Sequence, residues 1–194
     1  MTVLTKIMPL ALLAAASASA AAANAPKAGT YTVDAVHSFT IFKIHHFGAG
    51  FVYGWFKETS GKFVVDADPR KSSLELTIKA DSIDTHDAKR DEHLKSSSYF
   101  NAMQFPTITF KSTKVVPAAD GQLEVTGDLT IRGKTKSVTA KVSPTGAGED
   151  PQMKYRGGFE GHVTIDRNDF GLGFLPGALG DNVEVTLALE GVAQ

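Results

Sequence analysis

The 194-residue chain has no cysteine. That removes disulfides, thiolate nucleophiles and zinc–thiolate sites together. It also has little net charge of either sign, at −1 overall, so neither nucleic acid nor an anionic surface is called for by bulk electrostatics. Catalytic signatures are missing as well: there is no G-x-S-x-G, no Ser-x-x-Lys and no H-E-x-x-H. Two phosphate-loop look-alikes fail on spacing and context. Gly127 to Gly133-Lys134-Thr135 has one residue too many and alternates like a strand, and Gly171-Leu172-Gly173 meets Pro176 where a third glycine belongs. Six histidines supply no metal spacing. His45 and His46 are neighbours and point to opposite faces of a strand, while His86 and His93 lack a third ligand. No metal is therefore expected.

Long hydrophobic runs are also scarce. The strongest is Ile7 to Ala16, which follows Lys6, the sole charge of the first 25 residues, and precedes Ala23-Asn24-Ala25. It is short for a membrane span and poor in strongly apolar residues. A positive start, an apolar middle and a small-residue exit predict a cleaved signal peptide over 1–25, export to the periplasm, and one domain over 26–194. Removal of Lys6 with that segment leaves a net charge of −2.

Two-residue alternation is abundant. Leu74, Leu76 and Ile78 lie on one face against Glu75, Thr77 and Lys79, and Val125, Gly127, Leu129 and Ile131 lie against Thr126, Asp128, Thr130 and Arg132. Val138-Ala140-Val142, Val163-Ile165 and Val183-Val185-Leu187 repeat the pattern. Each run reads as a strand with one wet and one buried face. Turn signals at Gly48-Ala49-Gly50, Asp68-Pro69, Asp120-Gly121 and Gly133 separate eight strands, at 37–46, 51–66, 73–81, 106–116, 121–132, 134–143, 154–166 and 182–192. The expected fold is all-β, an eight-stranded antiparallel barrel, since closure removes exposed edges.

Two segments break the alternation. Asp84 to Ser97 is charged and predicts a short inserted helix, with Asp84 as N-cap and Asp91–Lys95 as an i, i+4 pair. Gly171 to Gly180 is an apolar, glycine-rich loop of the kind that often carries function. Apolar side chains are in surplus around 39–56, where Phe39, Ile41, Phe42 and Ile44 precede Phe51, Tyr53, Trp55 and Phe56. Pattern alone leaves a filled core and a ligand cavity both open.

An ordered set of short motifs resembles the YceI-like family. It comprises Asp34-Ala-Val-His37-Ser38, Phe42, Ile44, His46, Val52-Tyr-Gly54-Trp-Phe56 and Gly61, then Ser82-Ile83-Asp84-Thr85, Arg90-Asp91-Glu-His93-Leu94, Tyr99-Phe100, Pro106 and Phe110. Gly127-Asp-Leu129-Thr130-Ile131-Arg-Gly133 and Ile165-Asp-Arg167-Asn-Asp-Phe170-Gly171 complete it. The resemblance implies an exported, lipocalin-like barrel that holds a polyisoprenoid or isoprenoid quinone, with no other cofactor and an association with stress tolerance. Two positions depart from the family pattern: Trp55 replaces an expected arginine, and Tyr99 replaces the first residue of a double phenylalanine.

The site expected from this resemblance has an apolar wall of Phe42, Ile44, Phe56, Leu76, Ile78, Phe110, Leu129, Ile131 and Phe170. His37, His46, Arg90, Asp91, His93 and Arg167 are headgroup candidates, because arginine suits phosphate and histidine or aspartate can hydrogen-bond a quinone. The partner is an isoprenoid lipid, with transient membrane contact and a homodimer both allowed, and catalysis is not expected. An enzyme acting on a prenyl phosphate or quinone through His37, Asp91 and Arg167 is the alternative, alongside a filled barrel serving as an interaction module.

Overall fold

A computed structural model describes residues 25–194; the signal peptide expected over 1–25 lies outside that range apart from Ala25. Eleven strands form one antiparallel sheet: β1 Gly29–Val33, β2 Phe39–His46, β3 Gly50–Phe56, β4 Thr59–Val65, β5 Ser73–Lys79, β6 Ile83–Asp84, β7 Thr107–Pro117, β8 Leu123–Ile131, β9 Lys134–Glu149, β10 Tyr155–Asp166 and β11 Leu179–Ala193. The order β1-β4-β5-β7-β8-β9-β10-β11 returns to β1, which closes an eight-stranded barrel. The predicted strand 51–66 is two segments, β3 and β4, broken at Lys57-Glu58. The predicted first strand is extended upstream by β1, which its short length hid.

The break between β1 and β2 has a clear physical basis. Both strands run along the same edge of β11, β1 opposite Gly191–Ala193 and β2 opposite residues 179–188. At the junction, Asp34 N–H donates to the Glu190 carbonyl at 2.8 Å, and the Glu190 N–H donates to Ser38 Oγ at 3.0 Å. A serine hydroxyl thus stands in for the missing ladder partner.

Hairpins and insertions sort into two ends. At the upper end lie the β2–β3 turn, the β5–β7 insertion, the β8–β9 turn and the β10–β11 loop; at the lower end lie the β4–β5, β7–β8 and β9–β10 connections. The β8–β9 turn has Arg132 at φ 51° and Gly133 at φ 70°, the left-handed pair that a two-residue hairpin requires.

The inserted helix α1 is shorter than expected, Ala88–Lys95. Its N-cap is Asp87, whose carboxylate accepts from Arg90 N–H, and Asp84 instead pairs with Trp55 in the sheet. The Asp91–Lys95 pair does not form. Asp91 Oδ1 accepts from the Thr85 N–H at 2.9 Å and Oγ1 at 2.6 Å, and Lys95 turns to Glu92. Two stronger hydrogen bonds on a buried threonine outcompete an exposed ion pair.

Two apolar clusters fill the wall. The upper one is built on Phe56, Ile78, Ile108, Ile131, Ile165 and Phe170. The lower one is built on Tyr31, Val33, Phe63, Leu76 and Leu189, with Tyr31 and Phe63 stacked at 4.9 Å.

Candidate lipid cavity

Inward side chains do not fill the barrel. An upper chamber of about 380 Å³ is lined by Phe42, Ile44, Phe56, Leu76, Ile78, Phe110, Leu129 and Ile131, eight of the nine expected wall residues. Phe170 is the exception. It is 1% exposed, sits in a short 3-10 turn and packs in the upper cluster without reaching the chamber. Strands β9, β10 and β11 contribute Val138, Ala140, Val163, Val183, Val185 and Leu187. Their alternation placed them on an inward face, but composition could not say that this face borders empty space.

Below it lies a second chamber of about 280 Å³, lined by Phe63, Val115, Leu123, Pro144, Phe159 and Leu189, with Pro26 at its floor. Leu74, Val125, Val142, Gly161 and Leu187 border both chambers. Nothing in the alternation distinguishes one chamber from two.

Polar side chains on the upper chamber are His46, Thr85, Arg90, His93, Tyr99 and Arg167, with Thr40 deeper in. Arg90 reaches back to Thr85, with Nε donating to Oγ1 at 2.7 Å and Nη2 to the carbonyl at 2.6 Å. Thr85 therefore joins Arg90 and Asp91, and this network ties α1 to the rim without a direct Arg90–Asp91 pair. Asp91 does not line the chamber. His93 packs edge-on against Tyr99 and Phe174 at the mouth. Burial raises the Tyr99 phenol pKa above its ordinary value, so it stays a hydrogen-bond donor through the neutral range. Sequence reasoning treated Tyr99 only as a departure from the family pattern; its place on the chamber makes it a headgroup candidate.

Two further headgroup candidates, Arg167 and His37, are held by partners within the fold. Arg167 is 3% exposed, and its guanidinium donates to the carbonyls of Gly180 (2.8 Å), Phe174 (2.9 Å), Leu179 (3.3 Å) and Leu172, and lies beside Asp181. A buried guanidinium whose donors are spent on a loop holds that loop in place. His37 lies at the β1–β2 junction on the outside, 2.9 Å from Asp34 Oδ2, and lines neither chamber. His37, Asp91 and Arg167 thus share no site, and the acid–base trio of the enzymatic alternative does not assemble. Asp34, His37 and Glu190 come close enough to hold a cation, but Arg156 Nη1 already lies 2.6 Å from Asp34 and 2.7 Å from Glu190.

Of the two departures from the family pattern, Trp55 is half exposed on the outer face and lines neither chamber, whereas Tyr99 is buried and borders the lumen.

Comparison with known proteins agrees with this architecture. A UPF0312 protein of Ectopseudomonas mendocina is 38% identical over 187 residues, covering 95% of this chain and 98% of that relative. The crystal structure of Burkholderia cenocepacia BcnA superposes with a TM-score of 0.74 at 27% identity, covering 81% of this chain and 98% of that one. A polyisoprenoid binding domain from Saccharophagus degradans, implicated in plant cell wall breakdown, shares the fold at TM-score 0.67 and 16% identity, over 87% of this chain and all of that one. Residues 31–191 match the YceI-like domain, and the chain belongs to that family.

Proposed function

We propose that this protein is an exported, non-catalytic carrier that holds one long-chain isoprenoid, a polyprenyl lipid or an isoprenoid quinone, inside its barrel. The observation that carries this reading is the upper chamber: an apolar lumen about 380 Å³ in volume, inside a closed barrel, with its cationic and hydrogen-bonding side chains gathered at one end. That asymmetry suits a molecule with a polar head and a long apolar tail. The polyisoprenoid-binding domain of the same fold gives independent support. His46, Arg90, His93 and Tyr99 are the headgroup side chains, and the apolar wall takes the chain.

Burial of a prenyl tail contributes about 0.8 kcal/mol per methylene-sized group, offset in part by ordering of a flexible ligand. Affinity therefore grows with the number of isoprene units the lumen can accept. The barrel loads in the periplasm against a bilayer, with its mouth toward the membrane. Phe47, Phe51, Phe174 and Leu175 are exposed around that end, and no acidic residue occurs in 39–57 or in 170–180.

The test is organic extraction of the protein purified from its own envelope fraction, followed by mass spectrometry. One prenyl species per barrel is expected. A folded barrel that yields no lipid and takes up none of an added prenol would overturn the carrier reading.

A further inference from the structure

Glycine inside a strand needs a reason, because it costs backbone entropy and contributes no packing. Several barrel glycines have one. A Cβ at Gly54 would fall 2.4 Å from the Phe42 ring, one at Gly127 2.5 Å from Phe110, and one at Gly191 2.5 Å from Phe63. An aromatic side chain lies over each of these three and would have to shift to admit a Cβ.

Gly161 is different. It stands in the middle of β10, opposite Val142 on β9 and Leu187 on β11, and it is buried. Its φ is not among the positive glycine values. The nearest atom to a Cβ placed there is Val142 Cγ2 at 3.4 Å, followed by Leu187 Cβ at 3.9 Å. Neither backbone conformation nor a neighbouring ring excludes a side chain. Gly161 is also one of the five residues bordering both chambers, so a side chain here would project into the passage between them.

We propose that Gly161 is the waist of a continuous bore, that the lower chamber is the site for the distal, wholly apolar end of the ligand, and that this waist sets the longest chain the protein accepts. The inference rests on the carrier reading and specifies the ligand class further. Among the described residues, the lower chamber is lined mainly by apolar side chains, with Asp66, Ser72 and Ser73 at its edge, so it suits a hydrocarbon tail rather than a second headgroup. Strand β8 runs from Leu123, on the lower chamber, to Ile131, on the upper. At about 3.3 Å per residue and a tilt of about 40°, that stretch spans about 20 Å of axis. A short prenyl chain ends inside the upper chamber, and only a long one must pass the waist.

The experiment compares delipidated wild type with the Gly161→Ala and Gly161→Val variants, titrated with farnesol and with the much longer prenol solanesol and read by native mass spectrometry. Leu187→Phe narrows the same waist from the neighbouring strand, and circular dichroism and Tm report folding. Wild type should bind solanesol the more tightly. Gly161→Val should lose about tenfold or more affinity for solanesol relative to its change for farnesol, with Gly161→Ala intermediate and Leu187→Phe repeating the pattern. Folded Gly161→Val and Leu187→Phe proteins that retain solanesol undiminished, or lose both prenols equally, would overturn the waist. Wild type that binds neither prenol would instead overturn the carrier reading itself.

Discussion

The lining of the upper chamber includes small residues. Ala140 is one of them, on β9 opposite Val125 of β8. Ala140→Phe adds a ring to existing space, and filling a cavity stabilises as a rule by about 0.5–2 kcal/mol. This variant should melt at or above the wild-type temperature while the lipid recovered per barrel falls severalfold. An unchanged lipid yield from the folded variant would mean that the ligand lies elsewhere. The same scale shows what the chain discloses about its site. Phe42, Ile44, Leu76, Ile78, Leu129 and Ile131 were legible because a strand's alternation fixes which side chains share a face. Phe170 was not, because it follows β10 in a 3-10 turn where two-residue periodicity ends. What holds His37 and Arg167 was not legible for another reason. Their partners are a carboxylate at the β1–β2 junction and a set of loop carbonyls, and no spacing in the sequence reports where a carbonyl will point.

Elements divide the labour between wall and mouth. The 171–178 segment has little core of its own; Arg167 holds it from within, and Arg132 joins it to the insertion, with Nη1 donating to the Gly171 carbonyl and Nη2 to the Ser97 carbonyl, both at 2.7 Å. Arg167→Met should leave four carbonyls without their donors and cost about 3 kcal/mol, in the range of buried charge-assisted hydrogen bonds. Hydrogen exchange should rise in 171–180 above the rest of the barrel, and bound lipid should dissociate faster. Uniform exchange would instead mean that the arginine supports the whole fold and not the loop.

The β2–β3 turn calls for a different test. Its tip is tied to the loop through Phe47 N–H and the Ala178 carbonyl at 2.7 Å, and Phe47, Phe51 and Leu175 are all exposed. Aromatic rings at a lipid-facing rim partition to the membrane interface. The double variant Phe47→Ser/Phe51→Ser should slow prenol uptake from vesicles by about tenfold while leaving equilibrium occupancy unchanged. Equal uptake rates would overturn this rim as a membrane contact.

Closure of the whole barrel depends on a joint at its lower end. The ring is completed where the short β1 meets the end of β11, and three carboxylates converge there on Arg156. Asp34 comes from the β1–β2 junction, Asp150 from the β9–β10 turn and Glu190 from β11, at 2.6, 2.8 and 2.7 Å. The guanidinium reaches a carboxylate 122 residues away in sequence, which explains why the Asp34 motif was recognisable as a pattern while its purpose was not. Hydrogen bonding to Arg156 holds the Asp34 carboxyl well below the usual carboxylate range, with His37 adding to the effect, and Arg156 lowers Asp150 likewise. A carboxylate whose folded pKa is depressed stabilises the native state above its unfolded pKa, near ~3.9, and that stability is lost as pH falls toward the folded value. The wild-type Tm should therefore be flat near neutrality and drop steeply below about pH 4. Arg156→Gln should lower the neutral-pH Tm by several degrees and flatten the acid limb, because the carboxylates then titrate nearly alike in folded and unfolded chains. Thermal melts of both proteins from pH 2 to 8 decide it: parallel curves would place the acid sensitivity elsewhere, and convergence toward low pH would place it at this joint.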